Sequence, residues 1–189
     1  MRSAHRFIKS IVSILIGWLT EPIVDGWFVN VWQYREFVIR HNTRLFRFFY
    51  YRYLQKYGAW IGIEAIVESI PKCPHECFGI FISNSAHIGK NVVIFHQVTI
   101  GSISTVGSKH WGAPTVGDNV YIGCGAKILG NIHIGNNSRI GANCVVTRDI
   151  PANTCVYMDG LKMVIKDEPL DNQFIYINPS DNENNRLSN

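Results

Sequence analysis

The sequence has no apolar run of the roughly 20 residues that a membrane-spanning helix needs. The longest candidate, Ile11 to Leu19, is interrupted by Ser13 and Gly17 and stops before Glu21 and Pro22. Basic residues precede this stretch, as they do in a signal peptide, but no small-x-small cleavage motif follows it. We therefore expect a protein that is not exported.

The chain also lacks an even set of cysteines and the motifs of common ligand sites. Its five cysteines are spread through an apolar pattern, which favours reduced thiols in the cytoplasm over a disulfide framework. Cys73 and Cys77 bracket a histidine, but no second pair of ligands follows them, so we predict no metal site. The glycines follow no strand-loop-helix pattern, which argues against a phosphate-binding nucleotide fold.

Glycine and acidic residues are scarce in the first third of the chain. Residues 1–60 hold three of the 16 glycines, 15 of the 23 aromatic residues, and nine Lys or Arg against three Asp or Glu. Residues 61–189 hold nine basic against eleven acidic residues. This shift predicts two regions in a chain of 189 residues, which is long enough to bury one core. In the first region we predict helices over Arg6 to Leu19, Trp27 to Arg40 and Thr43 to Tyr57.

A six-residue repeat of isoleucine and valine dominates the remainder of the chain. Ten positions keep this spacing in two runs: Ile82, Ile88, Ile94 and Ile100, then Val116, Ile122, Ile128, Ile134, Ile140 and Val146. Neither a helix, with period 3.6, nor an alternating strand, with period 2, produces a period of six. The pattern is typical of a parallel β-helix with three short strands and three corners in each coil of about 18 residues.

The repeat changes phase twice. The spacing from Ile100 to Val116 is not a multiple of six, so residues 101–115 are predicted to leave the coil as a protruding loop. The longer step from Cys73 to the next repeat position predicts about three extra residues around His75 to Gly79. Such bulges cluster near functional sites, although a tolerated insertion at a corner explains each slip equally well.

From about Gly58 to Lys166 the sequence resembles the hexapeptide-repeat acetyltransferases, left-handed β-helix enzymes, and within them the serine acetyltransferase-like branch that also acetylates sugars. The matching strings are VTIGS at 98–102, IGCGAKILGNIHIG at 122–135 and IGANCVVTRDIPANT at 141–154. The resemblance implies acetyl-CoA as the donor, a hydroxyl as the acceptor and a histidine as the general base. It also implies a homotrimer with active sites between subunits.

Three histidines are candidates for the catalytic group. The resemblance places the base at His75, and a neutral imidazole is suited to take a hydroxyl proton near pH 7. His96 follows one coil later once the extra residues are subtracted, so we expect it beside His75, where it orients the base or binds the acceptor. His96 stands where the serine-specific enzymes commonly carry a glutamine. His110 lies in the loop that holds a second active-site histidine in serine acetyltransferases.

The chain departs from the serine-specific pattern at two places. Pro74 precedes the base where those enzymes have an aspartate. Ala113 precedes Pro114 where they have a histidine, so His110 comes three positions early. These departures favour a sugar hydroxyl, as in polysaccharide biosynthesis, as the acceptor. Serine O-acetyltransferase of cysteine biosynthesis and a β-helix scaffold without catalysis are the alternatives.

The resemblance further implies a set of small residues along the CoA groove and a base at its nucleotide end. A larger side chain at the small positions would block pantetheine, although corner geometry alone also explains them: Gly123, Gly125, Gly141 and Ala142. The family's Gly-x-Pro-Ala-Lys/Arg motif is replaced here by residues 159–162. Arg148 and Lys162 are therefore the basic candidates, together with Lys166.

We predict a helical region at 1–60, a β-helix at 61–166 and a C-terminal tail at 167–189, which is expected to be disordered from Asn178. Seven aromatic residues alternate with Arg and Lys over 41–57, a pattern that suits a cap on the open end of the β-helix with added trimer contacts. Peripheral association with the inner face of a membrane is the alternative. Nucleic-acid binding is not expected, because no recognised binding fold accompanies these residues.

Overall fold

The computed structural model describes residues 30–159. Helix α1 (Val31–His41) ends one residue beyond the segment predicted from Trp27 to Arg40, and helix α2 (Arg44–Gln55) lies within the segment predicted from Thr43 to Tyr57. The predicted helix from Arg6 to Leu19 and the tail at 167–189 lie outside the described residues. Short strands follow the helices: β1 (Trp60–Ile61), β2 (Ile66–Val67), β3 (Pro74–Cys77), β4 (Phe81–Ile82), β5 (His87–Ile88), β6 (Val93–Ile94), β7 (Thr99–Gly101), β8 (Thr115–Val116), β9 (Tyr121–Ile122), β10 (Lys127–Leu129), β11 (His133–Ile134), β12 (Arg139–Ile140), β13 (Val145–Val146) and β14 (Cys155–Val156).

All of these strands except β3 form three parallel sheets that the chain visits in turn. The first sheet has the order β1-β4-β7-β10-β13, the second β2-β5-β8-β11 and the third β6-β9-β12-β14. A strand therefore pairs with the strand one coil later, as Ile82 does with Ile100 and Ile100 with Ile128. The predicted parallel β-helix is confirmed, and the hydrogen bonds of its strands run between neighbouring coils.

The repeat residues form the core of this β-helix. All ten of the predicted positions are at most 3% exposed, because their side chains point into the triangular coil from all three sheets. Burying one such branched side chain contributes roughly 1.5–3 kcal/mol to stability. The stacked isoleucines and valines are thus the main source of the fold's stability.

Asparagine forms the corner between the second and third sheets. Asn91, Asn119, Asn137 and Asn153 all have φ between 55° and 61°, a left-handed conformation that asparagine tolerates better than most residues. Their amides also hydrogen-bond along the axis, with Asn119 Nδ2 donating to Asn137 Oδ1 at 3.2 Å and Asn137 Nδ2 to Asn153 Oδ1 at 3.0 Å. Each corner side chain therefore supports the coil that follows it.

The described coils contain three irregular steps, where the sequence predicted two. One is the predicted loop. Ile88 pairs with Val116, whereas a coil of regular length would bring Val106 to that position, so the loop lengthens this coil. The base of the loop is closed by an antiparallel bridge between Ile103 and Gly112.

A second irregular step is a shortening of the last coil. The sequence analysis missed it because it ended the six-residue repeat at Val146. Ile150 pairs with Ile134, whereas a coil of regular length would bring Ala152 there. Counting in sixes from Val146 therefore passes over Ile150. The carbonyl of Pro151, the next residue, accepts a hydrogen bond from the Ser138 hydroxyl at 2.9 Å, which ties the shortened coil to the coil before it.

The two helices cover the first coil through a buried arginine. Arg35 of α1 is 5% exposed, and its guanidinium donates to the carbonyls of Gly62 at 3.1 Å, Ile63 at 2.9 Å and Ala65. The hydroxyl of Tyr50 donates to the carbonyl of Ile61 at 3.1 Å. Burial raises the pKa of Tyr50, so the tyrosine stays a neutral donor. Burial lowers the pKa of Arg35, which makes its carbonyl partners important for holding the charge inside the protein.

Neither of the two helices described here is long and apolar enough to cross a lipid bilayer.

Candidate functional site

The candidate histidines lie at the corner where the chain passes from the third sheet back to the first. We call this edge of the prism the histidine corner; it comprises residues 74–80, 95–98, 123–126 and 141–144. Successive turns stack through backbone hydrogen bonds. The amide of Gln97 donates to the carbonyl of Phe78 at 2.8 Å, that of Gly125 to His96 at 3.0 Å, and that of Asn143 to Cys124 at 2.8 Å.

The third irregular step is a bulge at the top of this corner. Lys72 is paired with Val93, whereas a coil of regular length would bring Lys90 to that position. Beyond the corner the regular spacing returns, since Phe81 is paired with Thr99. Three residues between Lys72 and Phe81 therefore have no counterpart in the next coil.

These three residues are Pro74, His75 and Glu76. This corrects the sequence analysis, which placed the extra residues around His75 to Gly79. The backbone pairing between Phe78 and Gln97 shows that the chain is already back in register at Phe78. Phe78, and not His75, thus occupies the backbone position above His96.

The bulge returns toward the coil through a tight turn. The amide of Glu76 donates to the carbonyl of Cys73 at 3.0 Å, and Glu76 itself has φ 53°. A side chain in the left-handed region is strained by about 1 kcal/mol or more, and such strain is common where a chain presents a functional group. The turn leaves His75 exposed on the outside of the β-helix.

His75 and His96 are in direct contact. Their Nδ1 atoms are 2.8 Å apart and their ring centroids 4.9 Å apart. Two imidazole nitrogens at this distance need one proton between them, so one ring donates and the other accepts. A ring that holds its proton on Nδ1 has a free lone pair on Nε2. The contact therefore prepares one Nε2 atom of the pair to accept a proton from a third group.

Aromatic rings surround the pair on one side. The ring of His75 meets Phe95 edge-on at 5.4 Å, and Phe95 lies 5.1 Å from Tyr121 in the coil below. Tyr121 is 40% exposed, so its ring presents an apolar surface beside the imidazoles. A ligand at the histidine corner would contact both the imidazoles and this aromatic surface.

The predicted donor-binding residues lie at the same corner, in the two coils below His96. Gly123, Gly125, Gly141 and Ala142 follow β9 and β12, where the turns have little side-chain bulk. A Cβ on Gly123 would stand 2.7 Å from the amide nitrogen of Ala142, so only glycine fits there. Packing alone thus explains Gly123, whereas Ala142 is exposed and open to a ligand.

The remaining predicted site residues lie elsewhere or outside the described residues. The carbonyl of His110 accepts from the amide of Asn131 at 3.0 Å, at the corner between the first and second sheets. Within one chain the first sheet therefore separates His110 from His75. Arg148 is exposed in the last coil, and Lys162 and Lys166 lie outside the described residues. Among residues 30–159, no group of three His, Cys, Asp or Glu side chains is arranged to hold a metal ion.

Two residues beside the histidines were missed by sequence reasoning. Phe78 lies above His96 and is 51% exposed, and Cys124 lies directly below it in the backbone ladder. The register that brings Cys124 under His96 includes the extra length of the loop. Adding that length to one coil would have predicted the contact from the sequence.

Comparison with known proteins shows what this architecture is similar to. Residues 113–148 match the family described as bacterial transferase hexapeptide (six repeats). The serine acetyltransferase of Mycobacterium tuberculosis (strain ATCC 25618 / H37Rv) is 43% identical over 99 residues, which are 52% of this chain and 39% of that protein. The chain therefore spans well under half of this curated relative.

Solved structures show the same similarity in three dimensions. The serine acetyltransferase isoform 3 of Entamoeba histolytica, in complex with cysteine, aligns with a TM-score of 0.62 and 30% identity over 73% of this chain and 50% of that one. The serine acetyltransferase of Neisseria gonorrhoeae, in complex with serine, gives a TM-score of 0.57 and 32% identity over 69% and 52%.

The coil, its hexapeptide core and these similarities define a left-handed β-helix of the hexapeptide-repeat class. Within that class, the sequence and the structure are most similar to serine acetyltransferases among the proteins compared above.

Proposed function

We propose that this protein is an O-acetyltransferase that transfers the acetyl group of acetyl-CoA directly to a hydroxyl, with His75 as the general base. The observation that carries the proposal is the 2.8 Å contact between His75 and His96, at the corner that also holds the small residues of two lower coils. The similarity to serine acetyltransferases supports acetyl transfer as the chemistry, and the imidazole pair supplies the group that this chemistry needs.

The reaction requires one proton to move and one bond to be exchanged. His75 Nε2 accepts the hydroxyl proton while the acceptor oxygen attacks the acetyl carbonyl carbon. The carbon–sulfur bond then breaks, and the imidazolium returns the proton to the departing CoA thiolate. His96 Nδ1 accepts a hydrogen bond from the Nδ1–H of His75 and so keeps the Nε2 lone pair of His75 directed outward. No covalent acyl-enzyme is formed.

Serine is the acceptor that the relatives support. The compared proteins are serine acetyltransferases, and one of the solved structures holds serine. They favour serine over the sugar hydroxyl that the sequence departures at Pro74 and Ala113 suggested. A serine-specific site would have to do without the aspartate that precedes the base in that family.

A sugar hydroxyl is the second candidate, and one observation favours it. Phe95 and Tyr121 form a partly exposed aromatic surface next to His75, with their rings 5.1 Å apart. Aromatic faces pack well against the apolar faces of sugar rings.

The separation of His110 from His75 supports a homotrimer with sites between subunits. Residues of one chain reach two different corners of the prism, so a histidine from the loop meets the histidine corner only in a neighbouring copy. We propose that the trimer forms the complete site. Light scattering on the purified protein should give three times the 21.5 kDa mass of one chain, and a monomer that is fully active would contradict this arrangement.

A peripheral membrane role stays a prediction with narrower support. Leu45 and Phe48 on α2 are 60% and 47% exposed, with Arg44 beside them and no acidic residue on that helix. We place the enzyme in the cytoplasm, where acetyl-CoA is available. Co-sedimentation with vesicles containing anionic lipid, compared with neutral vesicles, tests whether this surface binds a membrane.

The acceptor assay tests the proposed function. The purified protein is incubated with acetyl-CoA and either serine, a panel of sugars or buffer, and the acetylated product is identified by mass spectrometry. Acetylated serine alone selects the serine enzyme, and an acetylated sugar selects the second candidate. If no acceptor is acetylated and acetyl-CoA does not bind in calorimetry, the chain is a scaffold and the proposal is wrong.

A further inference from the structure

Two cysteines stand at the base of the bulge that carries His75. Cys73 continues the third sheet into the bulge, and Cys77 is the first residue after it. Their counterparts in the next coil are Ile94 and Phe95, which are consecutive in the sequence. The backbone ladder therefore holds the two cysteines at neighbouring positions, although three residues lie between them.

The two thiols differ in exposure, and each affects the pKa of the other. Cys77 is 3% exposed and Cys73 is partly exposed, and both are free thiols. A hydrogen bond from the Cys77 thiol lowers the pKa of Cys73, and the same contact, with burial, raises the pKa of Cys77. The pair is thus divided into a more acidic thiol that ionises first and a buried thiol that stays protonated.

A buried indole and a cavity add to this arrangement. Trp32 of α1 is 4% exposed, and its N–H has no hydrogen-bond partner of good geometry within the described residues. The indole also acts on Cys73, where it helps to lower the thiol pKa. Trp32, Cys73 and Cys77 line one cavity of about 500 Å³, which gives a small molecule room to reach the sulfur atoms.

We propose that Cys73 and Cys77 form a reversible disulfide that separates His75 from His96. The disulfide itself does not depend on the proposed function, whereas its effect on acetyl transfer does. A sulfur–sulfur bond of about 2.05 Å is much shorter than any contact between two thiols, so its formation draws the base of the bulge together. The residues in between are Pro74, His75 and Glu76, and they take up the change.

The chemistry needs an oxidant, and a low-molecular-weight disulfide such as oxidised glutathione supplies it. The Cys73 thiolate attacks one sulfur of that disulfide and releases one small thiolate. The Cys77 sulfur then loses its proton and attacks the Cys73 sulfur of the mixed disulfide, which releases the second small thiolate. The protein loses two hydrogens and two electrons, and the small disulfide becomes two thiols.

Peptide mapping tests the disulfide without reference to activity. The full-length protein is incubated with oxidised or reduced glutathione, quenched in acid and digested with trypsin. Cleavage after Lys72 and Lys90 gives one peptide whose only cysteines are Cys73 and Cys77. We expect this peptide to become two hydrogens lighter in oxidised glutathione and to return to its reduced mass with dithiothreitol. A peptide that stays reduced while the exposed Cys155 is glutathionylated would overturn the proposal.

A second measurement follows the histidines. Imidazole nitrogen NMR signals of His75 and His96, assigned with His75→Ala and His96→Ala, should shift on oxidation of the native protein. They should not shift in Cys77→Ala, and they should shift as usual in the control Cys155→Ala. A disulfide that leaves these signals unchanged contradicts the coupling to His75.

Acetyl transfer gives the functional readout. Oxidation should lower the rate at least tenfold in the native protein and in Cys155→Ala, but not in Cys73→Ala or Cys77→Ala. If the reduced protein acetylates no acceptor, the proposed function has failed, while the peptide masses and NMR signals still decide the disulfide. A rate that is unchanged by a fully formed disulfide would overturn the regulatory part.

Discussion

At the scale of single residues, the proposed acetyl transfer depends on the one proton that lies between His75 Nδ1 and His96 Nδ1. His75 and His96 are joined through their Nδ1 atoms, so each ring determines which nitrogen of the other is free. A carboxylate commonly fixes a catalytic histidine by accepting its second N–H. Here Pro74 precedes the proposed base, and we propose that the imidazole of His96 takes the orienting role.

The orienting role of His96 predicts different effects for two substitutions. His96→Ala removes the acceptor of the Nδ1 proton, so we expect kcat to fall by roughly 10- to 100-fold. His96→Gln keeps an acceptor oxygen and should retain more activity than His96→Ala. The pH dependence of kcat/KM is the deciding readout, because His96→Gln removes one titrating group of the pair. Equal activities and unchanged pH profiles in both variants would show that His96 does not orient the base.

The lower coils of the histidine corner give a second prediction. Ala142 is exposed below Cys124, so Ala142→Leu would place a large side chain where the donor is proposed to bind. We expect the KM for acetyl-CoA to rise about tenfold or more, with an unchanged melting temperature. Thr147→Leu, on an exposed position of the next coil at another corner, is the matched control. An equal KM in both variants would move the donor away from this edge.

At the scale of elements, the buried guanidinium of Arg35 joins the helices to the β-helix. The guanidinium of Arg35 donates hydrogen bonds to three carbonyls of the first coil, those of Gly62, Ile63 and Ala65. An end of a β-helix without such a cover presents unpaired backbone groups to other chains. The helices therefore stabilise the open end of the coil as well as adding to the core.

Removing that charge should destabilise the fold. Arg35→Met keeps the apolar part of the side chain but leaves the carbonyls of Gly62, Ile63 and Ala65 without their donor. We expect the free energy of unfolding to fall by about 3 kcal/mol, measured by urea denaturation at fixed protein concentration. Arg40→Met, an exposed position on the same helix, should change it by less than about 0.5 kcal/mol. Similar losses in both variants would contradict the role of Arg35 as a cap.

The elements also show how far sequence reasoning extends. The six-residue repeat of Ile and Val predicted the parallel β-helix, because each repeat position must be apolar in order to point into the coil. The change of phase between Ile100 and Val116 predicted the loop. The bulge was misplaced by one or two residues, since only backbone pairing tells which residues lack a counterpart. The shortened coil at Ile150 was missed because counting at a fixed spacing of six leads to residue 152 and not to Ile150.

The site was predictable only in part for the same reason. The contact between His75 and His96 followed from counting one coil plus three residues. The backbone position of Phe78 above His96 could not be predicted in this way, because the count cannot distinguish which residues of the bulge protrude. Arg35 gave no signal in the sequence, since a buried arginine is recognisable only by the carbonyls that surround it.

At the scale of the whole molecule, the two ends of the proposed site lie on different corners of one prism. His75 and His96 stand where the third sheet meets the first, and His110 stands where the first meets the second. A trimer built around a threefold axis brings unlike corners of neighbouring chains together. The proposed trimer therefore divides each active site between two subunits.

Mixing two inactive variants tests this division. His75→Ala and His110→Ala are each expected to be weakly active, because each lacks one of the two contributions in every site. After the two are denatured together and refolded at equal amounts, random trimers should contain both native histidines at about a quarter of their interfaces. We therefore expect activity near a quarter of the native value. No recovery, with both variants present in the same trimers, would place both histidines in one chain's site.

The most direct test of the whole account is the rate of acetyl transfer by His75→Ala, with the best acceptor from the panel and saturating acetyl-CoA. A general base typically contributes roughly 100- to 10,000-fold, so we predict a fall in kcat of about 100-fold or more, with the melting temperature and the oligomeric mass unchanged. Turnover at the native rate would contradict the assignment of His75 as the base.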